Sequence, residues 1–114
     1  MSAVRFDHVA QRVPDIAEAV AWYADALPGA RVVHQDPTWA LIEANGTRMA
    51  FVVAEQHPDH VAWRVSAEEL ERLAARHGRP IATHRDATRS FYLEAPGGHW
   101  VEIIAYPEDD GPEA

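Results

Sequence analysis

The stretch DHVAQRV at residues 7–13 returns almost unchanged, 52 residues later, as DHVAWRV at residues 59–65. Around the first copy, Val4, Phe6, His8 and Ala10 would lie on one face of a strand, and Val9, Gln11 and Val13 on the other. Mostly apolar residues on both faces are typical of a strand buried on both sides. The same strand written twice in a short chain, each time with histidine second, predicts a duplicated structural module.

A helix and three further strands are predicted after the first copy. Pro14 and Asp15 open a stretch with apolar residues at helical spacing that closes at Pro28-Gly29, which predicts a helix over residues 15–27. Three β-like runs follow, RVVHQ, TWALIEA and TRMAFVVAE, and Asn45-Gly46 between the last two is a strong hairpin-turn signal. The first half therefore reads β-α-β-β-β.

The second half repeats this order. Ser66 with Glu69 three residues later forms a capping box that opens a helix ending at His77-Gly78. The runs PIATHRD, RSFYLEA and HWVEIIAY come next, and Pro96-Gly97-Gly98 stands where the first half has Asn45-Gly46. The second half is also β-α-β-β-β.

Two such modules define the expected fold. One module alone offers a short four-stranded sheet with an uncovered face, so the two must pair about a pseudo-two-fold axis. We expect an α+β protein with a single domain over residues 1–106. Module 1 spans about 4–55 and module 2 about 59–106, and residues 107–114 form an acidic, disordered tail.

Composition narrows the possible partners. A chain of 114 residues supports one compact core, and its net charge of −8 disfavours nucleic acid and anionic membrane surfaces. No apolar run approaches the roughly 20 residues of a membrane span, so we expect a cytoplasmic protein. Since there is no cysteine, any metal site must use histidine and carboxylate ligands.

The repeat itself suggests such a metal site. An axis near the two equivalent strands brings His8 and His60 together, and Glu102 lies among apolar residues on the closing strand of the second module. A buried carboxylate needs a cation, a hydrogen-bond network or a shifted pKa, and a divalent metal supplies the first. The position equivalent to Glu102 in the first half is Ala50, so three protein ligands are expected.

Two histidines and one carboxylate with open coordination positions match the facial triad of non-haem Fe(II) enzymes. We therefore favour Fe(II), with Mn, Ni, Co or Zn as alternatives. The competing interpretation is that His8 and His60 are core histidines inherited from the duplication, but that interpretation must also account for Glu102.

These features resemble the vicinal oxygen chelate (VOC) superfamily, which includes glyoxalases, bleomycin-resistance proteins and extradiol dioxygenases, over residues 4–106. The resemblance implies metal-ligand roles for His8, His60 and Glu102. It also implies a cupped mixed sheet around the ion and, for a small chain, a homodimer. Glyoxalase I and the epimerases of this superfamily use a fourth Glu or Gln ligand, at the position where Ala50 stands here.

The stretch HRDATRSFYLEAPGGHWVE, residues 84–102, resembles the extradiol dioxygenase signature, with matches at His84, Tyr92 and Glu102 as well as the Pro-x-Gly turn. The resemblance implies catalytic roles for Tyr92 and His84 and substrate contact for Tyr92. Arg48 shares a strand face with Ala50 and is a candidate for binding an anionic substrate group. The acid–base histidine of that family, expected just before MAF, is replaced by Thr47 or Arg48.

The favoured function is an extradiol-dioxygenase-like oxidoreductase acting on a small, catechol-type substrate that chelates the metal. One alternative is a glyoxalase-type lyase or isomerase, or a transferase like the fosfomycin-resistance enzymes. Those transferases carry a loop lysine, and this chain has no lysine. A third possibility is a non-enzymatic binder of aromatic drugs, although the bleomycin-binding relatives lack the His-His-Glu set.

Overall fold

A computed structural model describes residues 4–53 and 58–109. Within these residues, eight strands and two α-helices follow one another as two β-α-β-β-β modules, and the strands have the order β2-β3-β4-β1-β5-β8-β7-β6 in one mixed sheet. The α+β fold expected from the duplication is confirmed. The predicted end of module 1 at about residue 55 lies outside the described residues.

The first module consists of β1 (Arg5–Arg12), α1 (Ile16–Ala26), β2 (Arg31–Gln35), β3 (Trp39–Ala44) and β4 (Thr47–Val52). Strand β1 pairs in parallel with β4, and β4 pairs antiparallel with β3. The hairpin turn is confirmed: Asn45 and Gly46 have φ values of 53° and 83°, the left-handed backbone that a type I′ turn requires.

Helix α1 packs on one face of the first module. It begins where the Oδ1 of Asp15 accepts a hydrogen bond of 2.8 Å from the backbone N–H of Glu18. Ile16 and Val20 of the helix meet Ala40, Ile42 and Phe51 of the sheet in one buried cluster. A second, smaller cluster contains Ala10, Leu41 and Ala50.

The second module consists of β5 (His60–Arg64), α2 (Ala67–His77), β6 (Ala82–Thr83), β7 (Arg89–Ala95) and β8 (His99–Ala105). Leu70 and Ala74 of α2 pack against Val65, Phe91, Ile103 and Ala105 in its core. The predicted helix boundaries are confirmed, since Ser66 caps the start and Gly78, at φ 65°, ends the helix in the left-handed conformation.

Strand β6 is shorter than the run PIATHRD indicated, because the chain turns after Thr83. The Oδ1 of Asp86 accepts hydrogen bonds from both the N–H and the hydroxyl of Thr88, and Ala87 takes a left-handed φ of 70°. Such a local side-chain turn competes with strand pairing. The turn ends the strand and carries His84 at its start.

Residues 107–114, predicted to be a disordered tail, begin with the short 3-10 helix Pro107–Asp109, and residues 110–114 lie outside the described part of the chain. An ion pair of 3.3 Å joins Glu108 to Arg64. Neither described helix has the length and apolar character needed to cross a bilayer.

The Ser66 cap gives a direct test of the second helix. Replacing Ser66 by Ala removes the acceptor for the N–H of Glu69, so we expect the free energy of unfolding to fall by about 1 kcal/mol, measured by urea denaturation. Ser66→Asp keeps an acceptor and places a negative charge at the helix N-terminus, so it should retain the wild-type midpoint. Equal midpoints for the Ala variant and the wild type would contradict the assigned cap.

Candidate metal centre

His8 lies on β1, and a carboxylate fixes its ring. The Nδ1 of His8 is 2.5 Å from the Oδ2 of Asp7, whose side chain is almost fully buried. An ionised carboxylate only accepts hydrogen bonds, so Nδ1 carries the proton and the lone pair of the ring lies on Nε2. That tautomer is the one in which Nε2 can coordinate a metal.

His60 lies at the start of β5, buried, and is fixed in the same way by a different group. Its Nδ1 is 2.6 Å from the backbone carbonyl oxygen of Pro58, which can only accept. Nδ1 of His60 therefore donates, and its lone pair is also on Nε2. Both histidines that the repeat singled out are held in the tautomer that suits an Nε2 ligand.

The two imidazoles and Glu102 come together. The ring centroids of His8 and His60 are 5.7 Å apart. One ligand atom from each of His8, His60 and Glu102 lies within 4.8 Å of the other two, so the group could hold a metal ion.

Tyr92 faces Glu102 across the β7–β8 pair. Burial, together with the negative charge of Glu102 and a hydrogen bond to it, raises the pKa of Tyr92 well above its ordinary range. The phenol therefore stays protonated at neutral pH and donates to the carboxylate. Its hydroxyl is placed to orient Glu102 and to act as a hydrogen-bond donor at the site.

His84 is held beside the same carboxylate. Its Nε2 is 2.7 Å from the Oγ of Ser90 and 3.8 Å from the Oε2 of Glu102. Ser90 is fully buried on β7, next to the turn that carries His84. The structure thus gathers His84, Tyr92 and Glu102, the three matches to the dioxygenase signature, into one cluster.

Arg48, the candidate contact for an anionic substrate, lies on β4 with its side chain 32% exposed. Its Nη1 is 3.5 Å from the Oδ1 of Asp7, the same carboxylate that holds His8. Asp7 therefore contacts both Arg48 and His8 and links the two side chains.

The described part of the first module has an apolar pair where the second module has Tyr92 and Glu102. At the equivalent cross-strand position, Leu41 faces Ala50, and both are buried in the cluster with Ala10. An alanine offers no ligand atom, and the number of three protein ligands stays a prediction.

Three groups at the site were not singled out in the sequence: Asp7, Ser90 and the carbonyl of Pro58. Asp7 belongs to the repeated DHVA motif, and its position directly before His8 is a sequence signal that could have identified it. Ser90 lies two residues before Tyr92, on the same side of the strand, but a serine in a strand carries no distinctive chemistry by itself. A backbone carbonyl leaves no trace in side-chain patterns.

Residues 5–68 match the family described as the Glyoxalase/Bleomycin resistance protein/Dioxygenase superfamily. The match covers more than half of the chain, and the chain belongs to this superfamily. No curated protein matches the sequence significantly.

Solved structures with the same fold include enzymes of different types. Homoprotocatechuate 2,3-dioxygenase from Brevibacterium fuscum (E323L mutant) superimposes with a TM-score of 0.66 at 20% identity, covering 88% of this chain and 33% of that one. The Mn(II)-bound glyoxalase from Novosphingobium aromaticivorans superimposes with a TM-score of 0.63 at 20% identity. That match covers 92% of this chain and 40% of the glyoxalase chain.

A superfamily member from Vibrio splendidus 12B01 has a TM-score of 0.64 at 13% identity, and the match covers 92% of this chain and 98% of that one. The match thus covers 98% of the Vibrio chain but only 33% of the dioxygenase chain. At these identities the likeness establishes the fold, and the fold alone hosts several chemistries.

Metal binding can be tested at Glu102. Replacing Glu102 by Gln removes the negative charge of the group, so affinity for a divalent ion should fall by more than the roughly 10–100-fold that loss of an outer-shell partner causes. Titration of metal-free protein with Co(II) or Mn(II), followed by calorimetry, measures the change. Glu94→Gln, at an exposed position on β7, is the matched control and should bind like the wild type. Equal affinities of the two variants would exclude Glu102 as a ligand.

Proposed function

We propose that this protein is a divalent-metal-dependent enzyme, and specifically an extradiol-dioxygenase-like oxidoreductase acting on a small, catechol-type substrate. The observation that carries the proposal is the convergence of His8, His60 and Glu102, with the Nδ1 of both imidazoles already hydrogen-bonded. Histidines that merely fill a core do not require a buried carboxylate among them.

The donor set fits a divalent transition metal. Two neutral imidazoles and one carboxylate suit Fe(II), which we favour, and also Mn, Ni, Co or Zn. When bound, the metal supplies open coordination positions at which two vicinal substrate oxygens and dioxygen can meet.

The chain's own residues would orient the substrate and handle its proton. Tyr92 is partly buried and stays protonated, and its hydroxyl can turn from Glu102 to a substrate oxygen that develops negative charge. His84 lies within 3.8 Å of Glu102 and can accept a proton from a catechol hydroxyl at the same face. Arg48, partly exposed, can contact an anionic substituent of the ring.

Two lines of support favour the dioxygenase over its relatives. His84 and Tyr92 match the dioxygenase signature and lie around Glu102. In addition, the absence of a side-chain ligand at Ala50 removes the fourth ligand typical of glyoxalase I and the epimerases.

The second candidate is a glyoxalase-type lyase or isomerase, or a transferase like the fosfomycin-resistance enzymes, in which the metal polarises a carbonyl or epoxide oxygen. The likeness to a Mn(II)-bound glyoxalase favours it. Metal preference separates the candidates, because dioxygen chemistry requires a redox-active ion. A non-enzymatic drug-binding role is disfavoured by the complete His-His-Glu set.

Ring cleavage is the decisive assay. Protein loaded anaerobically with Fe(II) and then mixed with oxygenated buffer and a panel of catechols should consume one dioxygen per catechol and give a coloured ring-opened product. An oxygen electrode and visible absorbance follow the two quantities. Zn-loaded protein should be inactive, since Zn is not redox-active.

The role of His84 is tested in the same assay. If His84 handles a proton, His84→Gln should lower kcat by about 10²-fold or more while leaving Fe(II) binding intact. The exposed His77→Gln variant is the matched control and should retain activity. Protein that binds Fe(II) but cleaves no catechol in the panel would overturn the dioxygenase proposal, and activity on a hemithioacetal or an epoxide would favour the second candidate.

We also propose that the protein forms a homodimer; a cytoplasmic location stays a prediction from the sequence. Strand β2 lies at the end of the strand order, and its exposed residues include Val32 and Val33. An edge strand with exposed apolar residues readily pairs with another strand, and pairing with β2 of a second copy would satisfy two-fold symmetry.

Size-exclusion chromatography with light scattering should give twice the chain mass of 12.7 kDa. Val33→Lys places a charge on the edge strand and should shift the protein toward monomer. Asp25→Asn, exposed on α1, changes net charge by the same amount and should leave the dimer intact. A wild-type protein of single-chain mass at micromolar concentration would contradict the proposal.

A further inference from the structure

The two copies of the Asp-His dipeptide have equivalent positions but different contacts. Asp59, the aspartate of the second copy, is exposed and its Oδ1 accepts a hydrogen bond of 2.7 Å from the backbone N–H of Arg12. Asp7, the aspartate of the first copy, is only 5% exposed and contacts the ring of His8. The duplication therefore provides a natural comparison within one chain.

The contact between Asp7 and His8 is not a by-product of strand geometry. Neighbouring residues on a strand normally point to opposite faces, yet Oδ2 of Asp7 lies 2.5 Å from Nδ1 of His8. Burying a carboxylate in this way is costly unless a positive group compensates its charge. Arg48 provides that compensation, with its Nη1 3.5 Å from Oδ1 of Asp7.

The second histidine is held differently. Nδ1 of His60 donates to the neutral carbonyl of Pro58, whereas Nδ1 of His8 donates to a charged carboxylate. A carboxylate partner polarises the imidazole more strongly and makes Nε2 a better electron donor. The two imidazoles are thus expected to be unequal ligands, with His8 the stronger.

We propose that Asp7 and Arg48 are positioning residues for the metal centre. Asp7 holds His8 in the Nδ1–H tautomer and in the orientation that aims Nε2 at the ion, and Arg48 holds Asp7 through its guanidinium. This inference rests on the proposed metal-dependent function, and it gives Arg48 a role that does not depend on the substrate.

The first test compares the two aspartates of the repeat. Metal-free wild type, Asp7→Asn and Asp59→Asn are titrated with Co(II) in competition with a chromophoric chelator. Asp7→Asn should weaken binding about 10–100-fold, the range typical of a lost outer-shell carboxylate, whereas Asp59→Asn should bind like the wild type. Equal affinities of the two variants would overturn the inference. A wild type that binds no Co(II) would instead overturn the proposed function.

The second test reads the tautomer directly and does not depend on metal. Long-range ¹H–¹⁵N correlation spectra of the metal-free protein distinguish Nδ1–H from Nε2–H imidazole. Asp7→Asn should shift His8 toward a mixture of tautomers while His60 keeps the Nδ1–H form. An unchanged His8 signal in a folded Asp7→Asn protein would contradict the positioning role.

Arg48 supplies a further pair of variants if Asp7→Asn does not fold. Arg48→Lys keeps a positive charge near Asp7 and should retain most of the Co(II) affinity, whereas Arg48→Met should lose it to a similar extent as Asp7→Asn. If Arg48 acts on substrate alone, neither variant changes Co(II) affinity and only KM rises. That result would exclude Arg48 as a positioning residue.

Discussion

The candidate metal centre depends on the fixed tautomers of two imidazoles, His8 and His60, whose ring centroids are 5.7 Å apart. Each Nδ1 is occupied by an acceptor, and each Nε2 therefore carries the lone pair. Glu102 adds a negative charge, and burial of that charge is tolerated because Tyr92 donates to it. Within the described residues, every buried side-chain nitrogen and oxygen has a hydrogen-bond partner.

The superfamily membership and the side chains of the candidate metal centre point to the same class of protein. The shared fold accounts for a pair of modules, but it is found with more than one chemistry, as the dioxygenase and glyoxalase likenesses illustrate. The individual function must therefore be argued from the site. The two halves differ at one cross-strand pair, which is Tyr92 with Glu102 in the second module and Leu41 with Ala50 in the first.

Much of the fold and part of the site could be predicted from the sequence. The helix limits followed from Asp15, Ser66 and Gly78, because capping and left-handed backbone are local properties of single residues. The grouping of His8 with His60 followed from the repeat, because residues 52 positions apart occupy equivalent places in the two modules.

The remaining features could not be predicted, since they depend on tertiary distances. Asp7 and Asp59 stand in the same DHVA motif, so the sequence does not distinguish them. The contact of Arg48 with Asp7 is visible only in the fold. Strand β6 was predicted too long, because the turn at Asp86 and Thr88 competed successfully with strand pairing.

The apolar pair of the first module also limits how this protein could evolve. A relative with four ligands would need an acidic residue at position 50, but Leu41 opposite and Ala10 beside it would leave the new carboxylate without a donor. A polar residue at position 41 would supply that donor. Because positions 41 and 50 face each other across the β3–β4 pair, the effects of the two substitutions on the free energy of unfolding should be non-additive.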